Sequence, residues 1–154
     1  MGTSLRPLAC LFLGLCLANA STQATTFLVT KTADTEDGAC NADCSLREAI
    51  IAANANPGPD DITLPAGVYT LSIGGTGENA AATGDLDITG NTVINGAGEG
   101  TSVIDGGDLD RVIHILGGPV TFNTLTFRTG QVWRERGPTA SEVASSSMQP
   151  PACR

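Results

Sequence analysis

The sequence predicts an all-β fold of stacked parallel coils, a β-solenoid, entered through one short helix. Three observations lead there. From Asp61 to Phe127 the chain is a series of short Val/Ile/Leu/Thr runs broken by Gly, Asn and Asp, with no helical period. Two connectors echo each other, Asn95-Gly96-Ala97-Gly98 after Val93-Ile94 and Asp105-Gly106-Gly107-Asp108 after Val103-Ile104, as repeated corners would. One helix signal precedes them, the capping-box pattern Ser45-Leu46-Arg47-Glu48. A β-sandwich is the competing architecture, but most of the runs are shorter than the roughly 5 to 6 residues usual for its strands.

Taken in order, Met1 to Arg6 carries one positive charge, Leu8 to Ala18 is an apolar run, and Ala18-Asn19-Ala20 has the small-x-small form of a cleavage site. Residues 1–20 are therefore expected to be a secretory signal peptide, with the mature chain starting at Ser21. The apolar run is well short of the ~20 residues that span a bilayer, so no membrane span is expected. Thr26 to Thr32 is β-branched and reads as the first strand, and Asp34 to Asp43 reads as loop. In the helix, Ser45 should cap the amide of Glu48 and Glu48 the amide of Ser45. Leu46, Ala49, Ile50 and Ala53 then form one apolar stripe before Asn56-Pro57-Gly58-Pro59 ends it. Strands are expected at 62–64, 68–73, 86–88, 92–94, 102–104, 112–116, 120–122 and 125–127.

Cys10 and Cys16 leave with the leader, and Cys40 and Cys44 remain four positions apart. Two thiolates without a nearby His or third Cys cannot close a tetrahedral zinc shell, which makes a disulfide the expected state in an oxidising compartment. Losing Arg6 takes the formal charge from −8 to −9. That sign argues against nucleic acid as a partner and suits a soluble surface.

Candidate chemistry is sparse. Asp85 and Asp87 flank Leu86, so in a strand both carboxylates share a face; the expectation is a solvated face, with cation binding or acid/base work as the alternative. Asp105, Asp108 and Asp110 surround Gly106-Gly107 and are the candidate Ca²⁺ ligands, with Arg111 beside them as a clamp for a uronate carboxylate. The structural alternative is a turn in which Asp bonds its own backbone. His114 is the sole histidine, and no spacing nominates a partner for it. Arg47 and Glu48 are expected to serve the helix terminus, not catalysis. No nucleophile elbow, phosphate loop or HExxH is present.

The run Cys44-Ser45-Leu46-Arg47-Glu48-Ala49-Ile50, followed by Ala52-Ala53-Asn54, Asp60 to Tyr69 and Asp85-Leu86-Asp87-Ile88, resembles the CSLREA-domain proteins over about residues 26 to 130. The resemblance implies the N-terminal cap and opening coils of a right-handed parallel β-helix of the pectin-lyase-like kind, in an exported, mostly bacterial protein, secreted or at the cell surface. It implies a non-catalytic module whose larger relatives act in adhesion or glycan contact, with an extracellular glycan or surface protein as partner. A calcium-dependent polysaccharide lyase or glycosidase is the alternative. The pattern stops after Gly130: Gln131 to Arg154 holds the only Trp and the odd Cys153 without period-2 alternation. This segment is expected to be disordered, the product of a shifted reading frame or other truncation, with a true short form as the alternative.

Overall fold

The computed structural model describes residues 23–109, 111–129 and, as backbone, 132–134. Residues 1–22, where a signal peptide is expected, Asp110, Cys153 and the rest of the C-terminal segment lie outside these. Among the described residues ten strands and one helix follow in the order β1 (Thr25–Leu28), α1 (Leu46–Ala55), β2 (Pro59–Leu64), β3 (Gly67–Thr70), β4 (Leu86–Ile88), β5 (Asn91–Gly96), β6 (Ser102–Asp105), β7 (Ile113–Ile115), β8 (Val120–Asn123), β9 (Thr126–Arg128) and β10 (Val132–Arg134).

The strands form three sheets, ordered β1-β2-β5-β8, β3-β6-β9 and β4-β7-β10. Every strand pairing among the described residues is parallel, which leaves no antiparallel sandwich. From β2 onward, successive strands enter the first, second and third sheet in turn, three times over.

Register brings like residues together. In the first sheet Phe27 pairs with Ile62, Ile62 with Ile94 and Ile94 with Phe122; in the second, Tyr69 pairs with Ile104 and Ile104 with Phe127. In the third, Leu86 and Ile88 face Ile113 and Ile115. Ile62, Ile94, Ile104, Leu86, Ile88 and Ile113 are fully buried and form the core, whereas Phe27, Phe122 and Phe127 at the ends of their rows are partly buried. Phe122 and Phe127 meet edge to face, with ring centroids 5.0 Å apart, the arrangement that aromatic quadrupoles favour. A polar ladder runs beside the core: Asn95 Nδ2 donates to Asp61 at 3.3 Å and Asn123 Nδ2 to Asn95 at 2.8 Å.

Helix α1 packs on β1, β2 and β4. Its capping box is complete: the Glu48 amide donates to Ser45 Oγ at 3.1 Å and the Ser45 amide to Glu48 Oε2 at 2.7 Å. Leu46, Ala49, Ile50 and Ala53 are buried, the stripe the spacing predicts. Asn56 ends the helix, its amide donating to the Ala52 and Ala53 carbonyls. From the same helix Asn54 reaches the third sheet, donating to the Asp87 carbonyl at 2.7 Å and accepting from the Thr89 amide at 2.9 Å. The Cys40–Cys44 disulfide closes the loop that leads into the helix.

One expectation is corrected here. The segment after Gly130 is not all without structure: Val132–Arg134 forms β10, in parallel register with Ile113–Ile115. The unpaired edge of β7 supplies the backbone partners that three residues need, so a hydrophobic period is not required there.

Candidate functional site

Two buried polar centres flank the segment between β3 and β4. The first joins that segment to the helix. Arg47, fully buried, donates through Nε to Asp34 Oδ1 at 2.7 Å and through its terminal nitrogens to Asp34 Oδ2 at 3.1 Å and to the carbonyls of Ala81 and Gly84, each at 2.8 Å. Asp34 Oδ2 also accepts from the amides of Ser72 and Ile73. Burial would raise the Asp34 carboxyl, but the Arg47 side chain and the two amides outweigh it and hold it below the usual range. Glu48 behaves alike: burial opposes ionisation, while the Ser45 and Asp37 amides, the Thr35 hydroxyl and the Lys31 charge together lower it. The helix terminus is served by Glu48 alone of this pair, and Arg47 instead ties the helix to Asp34 and to residues 81–84, a role its position in the sequence does not announce.

The second centre lies on the third sheet. Register sets Asp87 of β4 beside His114 of β7, and Asp87 Oδ1 is 3.1 Å from His114 Nδ1. Asp87 Oδ2 accepts from the Ala81 amide at 3.1 Å. Asp85 is joined by Arg111, whose Nε lies 3.1 Å from Asp85 Oδ2. Those two atoms, both buried, are misaligned for a hydrogen bond, and the pair is bonded instead from the Arg111 Nη2 to Asp85 Oδ1 at 3.5 Å. Asp85, Asp87 and His114 are 7%, 0% and 5% exposed, and each offers a donor atom within 4.8 Å of the others. Burial chiefly raises the Asp87 carboxyl, and the Asp85 and Glu78 charges add to it against the Ala81 and His114 contacts.

These positions correct the sequence expectations. Asp85 and Asp87 do not form a solvated face, because residues 78–84 fold over them: Glu78 accepts from the amides of Ala80 and Thr83, and Ala81 is fully buried. His114 has a carboxylate neighbour. A signal existed for it in the matching triplets Leu86-Asp87-Ile88 and Ile113-His114-Ile115, which align once the strands are parallel. Arg111 serves Asp85 and is not a clamp beside Asp105.

Asp105 accepts from Arg128 Nε at 2.7 Å, from the Thr129 hydroxyl and from the Gly107 amide at 3.1 Å. The Thr129 and Gly107 bonds, with Arg128, hold its carboxyl low against a small burial effect. The bond to Gly107 is the local turn geometry weighed as the alternative to a Ca²⁺ site. Asp108 adopts φ 56° in that turn, and Asp110 is outside the described residues.

No family model, curated protein or solved structure matches the chain. No helix among the described residues is long and apolar enough to cross a membrane.

Acid should act first on the helix end. Asp34 and Glu48 are both lowered from ordinary values of 3.8 and 4.5, so their contribution is complete above about pH 4.5 and is lost as pH falls through their folded values. Asp87, raised, has the opposite sign: its contribution is present below 3.8 and is lost as pH rises through its folded value. Asp105 is lowered as well, so with three groups against one the melting temperature is expected to drop as pH falls below about 4.5, less steeply in Glu48→Gln. A flat profile in the parent chain would contradict the assignment.

Proposed function

We propose that this chain is the capped opening of a right-handed parallel β-helix in an exported protein, a non-catalytic module that closes one end of a stack and offers strand edges at the other. The observation that carries the reading is the strand order. Successive strands pass through three parallel sheets in a fixed cycle, while α1 packs on β1, β2 and β4 and leaves the outer edges of β8 and β9 uncovered by it. A helix with an apolar stripe is what the first coil needs, since that coil otherwise exposes its core and its backbone edge. The CSLREA-like run lies in this helix and its cap, consistent with a terminal module.

Export is supported by the leader pattern at residues 1–20 and by the Cys40–Cys44 disulfide. On this reading, contact with a glycan or surface partner belongs to coils stacked on the cap. Lyase chemistry built on Asp105 and Arg111 finds less support, because Arg128 occupies Asp105 and Asp85 occupies Arg111.

The test is expression of the whole chain with its leader in a bacterial host. The expected product lies outside the cytoplasm, starts at Ser21, shows no alkylation at Cys40 or Cys44 and releases nothing from uronate polymers with or without calcium. Cytoplasmic retention with both thiols labelled would sink the export reading. Calcium-dependent depolymerisation that disappears in Asp105→Ala would replace the cap with a lyase.

A further inference from the structure

We propose that Asp85, Asp87 and His114 form a divalent-metal site under residues 78–84, and that Arg111 supplies the positive charge there when no metal is bound. The donor set comes from two neighbouring strands and the residue preceding one of them. Its spacing is close to that of an ion's shell: ligands about 2.0 to 2.2 Å from a tetrahedral zinc lie about 3.3 to 3.6 Å from each other, and His114 Nδ1 and Asp87 Oδ1 are 3.1 Å apart, a little closer than that. Asp85 is within 4.8 Å and comes into range by side-chain rotation.

A second observation is independent of that spacing. Asp85 is more than nine-tenths buried, and its Oδ2 makes no hydrogen bond. Its cationic neighbour is Arg111, misaligned at 3.1 Å from Oδ2 and bonded to Oδ1 at 3.5 Å, so that oxygen keeps part of its desolvation cost, which a better-placed cation would remove. The charge count agrees: two carboxylates face one guanidinium, with Glu78 adding a further negative charge nearby, while Arg47 is already engaged by Asp34. The Arg111 side chain is 26% exposed, so it can swing outward and open a path for the ion. One imidazole with two carboxylates is a borderline-to-hard set that suits Zn²⁺ or Mn²⁺. Ca²⁺ calls for 6 to 8 oxygens and is disfavoured.

The experiment is zinc titration calorimetry on the tag-free mature chain at pH 7.5, where His114 is the only histidine. One Zn²⁺ per chain is expected to bind, at least tenfold more weakly in His114→Gln and in Asp85→Asn. Arg111→Gln should bind several-fold more tightly, a gain that misfolding does not produce. Tenfold excess Ca²⁺ should leave zinc in place. No binding by the parent chain would overturn the site. Equal affinity in His114→Gln would overturn it as well, as would displacement of zinc by Ca²⁺.

Discussion

Replacing Arg47 by methionine is expected to destabilise the protein by about 3 to 5 kcal/mol, the cost typical of removing one partner from a buried ion pair. The guanidinium is fully buried and satisfies both oxygens of Asp34 and the carbonyls of Ala81 and Gly84. Methionine fills much of the volume but leaves a buried carboxylate with only the Ser72 and Ile73 amides. A urea unfolding curve measures the effect. Adding Asp34→Ala to Arg47→Met should recover part of the loss, because the orphaned charge goes with it. A change below about 1 kcal/mol in the single variant would mean that water reaches Asp34 and that the network does not hold the helix to residues 72–84.

Ile94→Ala should cost about 2 to 5 kcal/mol, the range for truncating a large aliphatic side chain in a close-packed core. Ile94 is fully buried between Ile62 and Phe122 in one register row, so the cavity opens in the middle of a row with rigid neighbours on both sides. Leu28→Ala is the control: Leu28 is 52% exposed, and its loss should stay within about 0.5 kcal/mol. Equal effects at the two positions would contradict the registers of the first sheet.

The sequence made the helix legible because two short-range signals coincide there, the Ser45/Glu48 box and the Leu46–Ala53 stripe. Strand positions were legible for a similar reason, since each run of Ile, Val or Leu has one inward row to fill. Their ends were less so. The run Val68–Ile73 looks like one strand, but pairing stops at Thr70 because the Ser72 and Ile73 amides turn to Asp34. Thr26–Thr32 shortens likewise, the Thr30 and Lys31 amides leaving for the Cys44 carbonyl. Both polar centres depend on contacts across long separations: Asp34 reaches Arg47 from a loop with no periodic signal, and Asp87 meets His114 across 27 residues. Only the register between strands brings that last pair together, and the matching triplets at 86–88 and 113–115 signal it only once the strands are known to be parallel.

The polar ladder of Asp61, Asn95 and Asn123 bears on how such a chain avoids error. Side chains alternate faces along a strand, so a slip of one residue in β5 would turn Asn95 toward the core and Ile94 toward water. The ladder and the aliphatic row therefore act as paired phase marks, each losing its partners when the other is misaligned. Neither mark depends on how many residues lie between strands. The connection from β2 to β5 can accordingly be longer than that from β5 to β8, with residues 72–84 bulging from one passage, while the alignment of the rows stays the same. Length is thus free to vary in the connectors, and that freedom gave the chain room to acquire a buried pair of carboxylates without disturbing its core.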